Sequence, residues 1–505
     1  MPELEDSTKS KRDILKSTVL LGGSSFITVI INMVKTKIIA VLLGPAGMGF
    51  QGILFSLRDI VALVTGLGLQ FSGVREIAYA VGRNDTKTIS ITVKTVRLLV
   101  WVTGILAVIV MAVGARHLSL LSFDSAEYSF DVALIGISIF FGSLSGGLTF
   151  IIQGYRRLLD LAIVNIISAI NGVLISIPIL YYWGIKGVVP SMIVGSITML
   201  LFAWFYVKKI KIEDYAMARA DYVECSMRLM RLGIPLMSSG IIYTIADYFI
   251  RIFLTRKAGL EAVGQFQAAF KLASVLVNFV LNAMGQDYYP RLTAISDNPN
   301  RMNKEVNEQT EISMLIALPA LIVTIIFMPQ VVWILYSKDF SASLPVLQWA
   351  VFGIFGRVTS WPLGMIMVAK AKGRLFLISE LFFSILYICF IIVFFNLFGL
   401  AGTGMAFTLN YVLYNMFVIY IARKIADVTL NRSNIILILY SLIIIILLSI
   451  FQEIECNIVI KYGINIISAL FIIFYYLQRL SRVTGITVAS IIKRANNIFN
   501  MVLKR

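Results

Sequence analysis

The chain has 505 residues, of which 59% are hydrophobic and 14% charged, and 44 Lys and Arg against 27 Asp and Glu leave a net charge of +17. Soluble domains are roughly 45–50% apolar and about 25% charged. The composition therefore excludes a water-soluble globular enzyme, a disulfide-stapled secreted domain and a disordered chain.

Residues 1–17 mix acids and bases ahead of the first apolar run, which no small-residue cleavage site follows, so they read as a cytoplasmic leader and not as a signal peptide. Beyond them, apolar stretches near the roughly 20 residues that a membrane helix needs recur along the chain. Fourteen spans are read, at 18–43, 50–73, 98–114, 132–152, 161–183, 188–207, 233–255, 265–287, 312–336, 344–368, 375–397, 403–422, 434–451 and 459–478. Runs such as 435–451 do not alternate, which excludes the strands of about ten residues that build a membrane barrel. The predicted fold class is an all-α polytopic membrane protein. After the last span, Val488, Ile491, Ile492, Ile498, Phe499, Val502 and Leu503 recur at helical spacing beside Lys493, Arg494, Lys504 and Arg505. That pattern predicts a basic amphipathic helix on the anionic cytoplasmic leaflet.

Charge placement gives the expected orientation. With the N-terminus in the cytoplasm, most Lys and Arg fall in the leader, the even-numbered loops and the tail, whereas the opposite side holds only Arg116, Lys186, Arg256, Lys257, Lys338 and Lys461. Lys and Arg accumulate on cytoplasmic loops, so both termini are placed in the cytoplasm and no nucleic-acid partner is needed to explain the charge. Cys225, Cys389 and Cys456 lie far apart without CxxC spacing and read as free thiols. The single histidine, His117, is expected in a surface loop, so no metal site is expected.

The chain repeats itself 215 residues on. Gly44 falls on Gly259, Gly49 on Gly264, Trp183–Gly187 on Phe398–Gly402, Arg157 on Lys372, and Lys208-Lys209 on Arg423-Lys424. An even number of spans separates the copies, so both insert the same way up, as in transporters whose substrate site lies between parallel halves. The expected organisation is a leader (1–17), an N-lobe of six helices (18–212), a cytoplasmic linker (213–232), a C-lobe of six helices (233–427), two extra helices (428–480) and the tail (481–505). The lobes are expected to surround a central cavity.

Lys35, Lys37, Arg58, Arg251, Lys271 and Arg357 are basic residues inside apolar segments. Each costs about 2.5–3.5 kcal/mol at the bilayer centre, so such residues face water or a partner. By helical rise, Lys35, Arg58 and Lys271 lie roughly 9–12 Å inside the outer boundary and Arg357 near mid-membrane. Lys37 is about 200° around the helix from Lys35, so only one of the two points inward; Lys35 is assigned to the cavity. Arg251, near its helix end, either lines the cavity or snorkels. Asp59 beside Arg58 and Asp247 one turn before Arg251 are assigned to ion coupling or to charge balance. The excess of cations over acids favours an anionic substrate, which Lys and Arg hold by charge-assisted hydrogen bonds. Gly66 and Gly68, and Pro178, Pro319, Pro329 and Pro362, break or kink their spans, as gating hinges or as fixed bends. No GxxxxGK[ST] motif occurs, so the energy source is a proton or sodium gradient or the substrate's own concentration difference, and no cofactor is expected.

Four segments carry a family resemblance: LLGPAGMGFQGILFSLRDI (Leu42–Ile60), YYPRLTAI (Tyr288–Ile295), VVWILYSKDFSASLPVLQWAVFG (Val331–Gly353) and MIMVAKAKGRLFLISE (Met365–Glu380). They resemble the Wzx-type O-antigen and lipid III flippases, in the polysaccharide transporter branch of the MATE/MOP exporter superfamily, over residues 14–425. The resemblance implies a non-enzymatic flippase of the bacterial inner membrane. Such a protein moves an undecaprenyl-pyrophosphate-linked oligosaccharide to the periplasmic leaflet by alternating access, with polysaccharide polymerase and chain-length proteins as partners. Arg58 matches an arginine of the family's second helix. Many relatives stop at twelve helices, whereas lipid II flippases have fourteen, with the extra pair forming a lipid-facing groove, so a lipid II flippase is the alternative. A drug/cation antiporter would need an acidic cavity, and a glycan ligase or polymerase a large outer loop.

Overall fold

The computed structural model describes residues 2–454 and 457–484. Cys456 and the tail from residue 485, with its expected amphipathic helix, lie outside them. The described backbone is mostly helical, because lipid offers no hydrogen-bond partner and a helix satisfies its own N–H and C=O groups. Ten helices among the described residues are long and apolar enough to cross a membrane, eleven with the bent pair Arg219–Ser238 and Gly240–Val275. The protein is a multi-pass membrane protein.

The chain forms two compact units, one holding the chain to Gln267 with Ile334–Asp339, the other Ala268–Trp333 and the chain from Phe340 on. The first contains α1 (Pro2–Thr65), α2 (Leu69–Gly82), α3 (Thr86–Phe123), α4 (Ser129–Gly154), α5 (Leu158–Trp183), α6 (Val188–Val207) and the first part of α7 (Arg219–Ala294). The second contains the end of α7, α8 (Pro299–Ile326), α10 (Ser343–Ala369), α11 (Gly373–Phe398), α12 (Ala401–Ala426), α13 (Arg432–Glu453) and α14 (Ile458–Thr484), with the short α9 (Met328–Leu335) reaching into both.

Several connections are tighter than expected. At Gly44 (φ 62°) and Gly259 (φ 79°) the backbone leaves helical geometry, so α1 and α7 each consist of two helices that meet at a sharp kink without an intervening loop. Both glycines sit in the left-handed region, which only a residue without Cβ enters at low cost. Expected span 50–73 is interrupted at Gly66–Gly68, where Leu67 and Gly68 take positive φ, and 312–336 divides between α8 and α9. The stretch 213–232 is helical from Arg219. His117 is not in a loop: α3 continues to Phe123 and carries it, exposed, on its last turns. The helix continues there because Ala115, Ser119, Ser122 and Phe123 are buried against the rest of the unit.

The 215-residue spacing recurs in three dimensions. Arg156 and Ala371, at equivalent positions after α4 and α10, share a positive φ (54° and 56°), and Gly184 and Gly399 do the same after α5 and α11. Each unit also builds a core from equivalent positions. Ile77, Ile151, Ile152, Ala203 and Val207 pack in the first unit, and Leu292, Ile366, Met367, Val418 and Ala422 in the second.

Within the first unit the two bent hairpins cross reciprocally. A Cβ on Gly49 would lie 1.9 Å from the Leu260 carbonyl oxygen, and one on Gly264 would lie 1.9 Å from that of Pro45. Residues 45 and 260, like 49 and 264, are 215 apart, so the same contact is made twice.

Helices α13 and α14 are fastened to α8 of the second unit by polar clamps. Asn434, fully buried, donates to the Asn307 side chain and carbonyl at 3.0 and 2.9 Å, and Asn307 donates to the Thr429 carbonyl at 2.9 Å. Arg479 of α14 pairs with Glu311 of α8 at 2.6 Å and donates to Ser433.

Gly264→Ala must push two main chains apart and is expected to cost at least the ~1–3 kcal/mol typical of overpacking. Gly195→Ala, with nothing within 4 Å of the new methyl group, is the control. Thermal unfolding of the detergent-solubilised proteins measures both; equal melting temperatures would contradict the reciprocal contact.

Candidate functional site

The first unit holds a cavity of about 500 Å³ lined from α1, the Gly66–Gly68 turn, α2, α3, α4, α6 and α7. Arg58 and Asp59 stand at its wall, and its other polar groups are mostly hydroxyls: Thr103, Ser138, Ser143, Ser145, Ser196 and Thr244. The bend at Gly66–Gly68 permits this. A Cβ on Gly68 would lie 2.1 Å from the Gly233 carbonyl oxygen, so the missing side chain lets the turn sit directly on α7.

The hydroxyls are oriented. Ser145 donates to the Gly142 carbonyl at 2.9 Å, Thr244 to Gly240 at 2.8 Å and Thr103 to Val100 at 3.4 Å, while Ser138 and Ser196 share a 2.9 Å hydrogen bond. A hydroxyl whose proton goes to its own helix keeps lone pairs for an incoming donor. The cavity therefore offers acceptors for hydroxyl-bearing groups beside one guanidinium for an anion.

Arg58 donates through Nε and Nη2 to Asp59 Oδ1 at 3.0 and 2.8 Å, and its guanidinium lies 4.9 Å from the Phe55 ring centroid. That uses two of five N–H donors. The side chains are 33% and 52% exposed, and an ion pair so wetted is worth about 0–1 kcal/mol. Asp59 thus holds the guanidinium in position without closing it to a phosphate.

Arg251 is held differently. It lies on α7, 14% exposed, and donates to Asp247 at 2.7 Å and to Gln267 at 2.6 Å. Ser56 of α1 completes the cluster with a 3.0 Å bond to Asp247. Gly52 makes room for it, since a Cβ there would come 2.7 Å from the Arg251 guanidinium. Arg251 and Asp247 do not line the Arg58 cavity.

The remaining cations are dispersed. Lys35 is half-buried, its Nζ beside Gly172 of α5, where a Cβ would stand 3.7 Å away. Lys37 donates to the Tyr336 carbonyl, which matches its expected separation from Lys35. Lys271 is exposed on α7 in the second unit. Arg357, half-buried on α10 of the same unit, is within electrostatic reach of Glu380 on α11 and Tyr411 on α12. Gly356 lets α12 approach there, since a Cβ on it would lie 3.0 Å from Tyr411 Cβ, and Asn415 donates to the Gly356 carbonyl at 2.7 Å.

Glu380 corrects the sequence reading, which counted only Asp59 and Asp247 as acids within spans. It lies inside the expected span 375–397, and its burial within an apolar run was the available signal. The hydroxyl lining had no comparable signal, because Ser and Thr are common in membrane helices and back-bond to them. Among the described residues no group of His, Cys, Asp or Glu is placed to hold a metal ion.

Residues 14–296, more than half of the chain, match the model of the polysaccharide biosynthesis protein family. The chain belongs to that family. It is similar to the lipid III flippase of Escherichia coli (strain K12), with 20% identity over 409 residues that cover 79% of this chain and 96% of the relative. It is also similar to the putative O-antigen transporter of Shigella dysenteriae, 22% identical over 285 residues, 56% of this chain and 68% of that one. Among solved structures, the fold resembles the lipid II flippase MurJ in an inward closed conformation (TM-score 0.68, 15% identity, 92% of this chain and 99% of that one). It equally resembles an inward-facing multidrug resistance MATE family transporter of the MOP superfamily (TM-score 0.68, 17% identity, 79% and 95%). At these identities the structural likeness is one of fold.

Asp247→Asn removes the carboxylate from a largely buried arginine. Breaking a fully buried pair costs ~3–5 kcal/mol; the partial exposure of Asp247 places the expected loss below that range. Thermal unfolding is expected to show a clear drop in melting temperature, and Asp59→Asn a much smaller one. The reverse order would mean that the tighter pair had been misassigned.

Proposed function

We propose that this family member is a flippase, a transporter and not an enzyme, which carries a lipid-linked oligosaccharide across the bacterial inner membrane by alternating access. The observation that carries the reading is the Arg58 cavity, where one accessible guanidinium stands beside a wall of hydroxyl acceptors. A glycan attached through pyrophosphate needs both: a cation for the phosphate, best served by the fork of an arginine, and acceptors for sugar hydroxyls. The likeness to a lipid III flippase and a putative O-antigen transporter supports the same substrate class.

The organisation proposed around it is fourteen membrane helices. Two six-helix repeats form lobes around a central cavity, and α13 and α14 are appended. Both termini are cytoplasmic, an orientation supported by the distribution of Lys and Arg. Arg58 is the leading head-group contact. Lys35, Lys271, Arg357 and Arg251 are proposed as further contacts, with Arg251 restricted by its pairing to Asp247. Asp59 and Asp247 remain the proposed ion-coupling or charge-balancing groups, driven by a proton or sodium gradient. Transport requires that the substrate bind the inward and outward states with different affinity. Displacing Asp59 from Arg58 in one state only is a low-cost way to achieve this. Polysaccharide polymerase and chain-length proteins are the proposed partners.

A lipid II flippase is the second reading, favoured by one observation. Coverage by the MurJ structure exceeds that by the MATE transporter by more residues than α13 and α14 contain. Depletion separates the two, since loss of lipid II export lyses cells and loss of a surface glycan does not.

Arg58→Ala is expected to lower surface polysaccharide at least tenfold at unchanged protein level in the membrane, and Arg58→Lys to restore part of it. Immunoblotting of polymer against membrane protein gives the comparison; normal polymer in Arg58→Ala would remove the assignment.

A further inference from the structure

The second unit contains another cavity, of about 470 Å³, that the Arg58 site does not explain. It is built where α8 gives way to α9, where α10 begins, and where α13 ends and α14 starts. Its size lies within the roughly 300–1,000 Å³ of small-ligand pockets. Its polar wall is made of side-chain amides with one acid and one base: Gln330, Gln348, Gln452, Asn465, Glu453 and Lys461.

These groups are already partly tied to one another. Gln348 donates to Glu453 at 3.2 Å, and Gln452 donates to Asn465 at 3.0 Å. Lys461 donates to the carbonyls of Gln452 and Ile454 at 2.6 and 3.1 Å. After these bonds the Gln348 and Gln452 oxygens and the second Glu453 oxygen retain acceptor capacity, and the Asn465 amide retains its donors. A second, apolar part of the wall includes Met328 and Leu344.

The chemistry discriminates between ligands. A phosphate needs a cation with donors to spare, as Arg58 has; here the one ammonium group gives two of its three donors to backbone carbonyls, and a carboxylate stands in the same wall. A purely apolar ligand would strand the amides without partners, at about 1–3 kcal/mol for each buried group. A sugar ring fits both walls, because its hydroxyl edge both donates and accepts while its C–H face is apolar. We propose that this cavity is a saccharide subsite, distinct from the Arg58 cavity, that holds sugar rings of the transported glycan. The proposal rests on the flippase reading above. In the proposed topology the cavity opens at the outer ends of α10, α13 and α14, so it receives the glycan after it has crossed. The appended helices then contribute four of the eleven residues that line an exit site, which gives them a role beyond contact with lipid.

The test uses full-length protein in phospholipid nanodiscs and follows acylation of Lys461 by a water-soluble N-hydroxysuccinimide ester, site by site, by mass spectrometry. Probes are millimolar maltose, lactose and chitobiose, each against inorganic phosphate. At least one disaccharide is expected to slow Lys461 acylation threefold or more while leaving Lys338 unchanged, and phosphate to have no effect. Gln348→Leu with Gln452→Leu is expected to abolish the protection at an unchanged basal rate, and Arg58→Ala to retain it. The Arg58→Ala arm separates this proposal from the flippase reading, which export measurements test by themselves. Membranes from cells that make the lipid-linked glycan are expected to show slower Lys461 acylation than membranes from cells blocked in its first sugar-phosphate transfer; equal rates would exclude the transported glycan as the occupant. Absence of protection by all three disaccharides, protection by phosphate instead, or protection that survives in the double variant would overturn the subsite.

Discussion

Two peptide carbonyls, those of Pro45 and Leu260, press against the bare backbones of Gly264 and Gly49, and the arrangement of the first unit follows from that contact. Two helices meet at backbone distance only where neither carries a side chain. In a membrane, where helix association relies on packing more than on exclusion of water, such small-residue contacts set which faces meet. Once Gly49 faces α7, Gly52 and Ser56 face it too, because residues three and seven further on return to the same side of a helix. Opposite them stand Arg251 and Asp247, and the buried cluster is complete. Arg58, two residues past Ser56 and so about 200° around the helix, is turned away from Arg251 and Asp247 toward the hydroxyl-lined cavity. One glycine contact therefore separates the two arginines into a structural one and an accessible one.

The contrast between those arginines shows how a membrane protein manages charge. Each lies in an apolar helix and has an aspartate nearby. Arg251 has its carboxylate one helical turn away, with Gln267 and Ser56 satisfying the remaining groups. Arg58 has an adjacent acid that occupies only two of its donors, in a wetter setting. The first is neutralised and fixed; the second remains available to a ligand. In the second unit Arg357 has an acid within reach, Glu380, on a neighbouring helix. Counting cations against acids along the chain missed that arrangement, since it depends on which helices are neighbours.

The repeat accounts for economy in the fold and for its departures. Equivalent positions supply both cores and both sets of left-handed turns, so each unit solves its packing in the same way. The polar cavities break the equivalence. The first unit carries the hydroxyl-lined cavity beside Arg58, whereas the second uses α13 and α14, clamped through Asn307–Asn434 and Arg479–Glu311, to build an amide-lined one. A duplicated scaffold thereby presents two different chemistries.

Composition alone determined that this is a helical membrane protein, because a bilayer demands long apolar runs whose backbones bond internally. Some of the expected breaks fall where glycine and proline mark them, at Gly66–Gly68 and beside Pro329, whereas α5, α8 and α10 run on as single helices through Pro178, Pro319 and Pro362. Recurrence of Gly44 and Gly49 at Gly259 and Gly264 exposed the repeat. His117, in contrast, read as a loop residue, because where an apolar helix ends is set by what packs beside it. The partners of Arg58, Arg251 and Arg357 and the hydroxyl and amide walls were decided by tertiary structure. A side chain's partner depends on helix rotation and on neighbours far away in sequence, and a one-dimensional pattern of apolar and charged residues does not encode either.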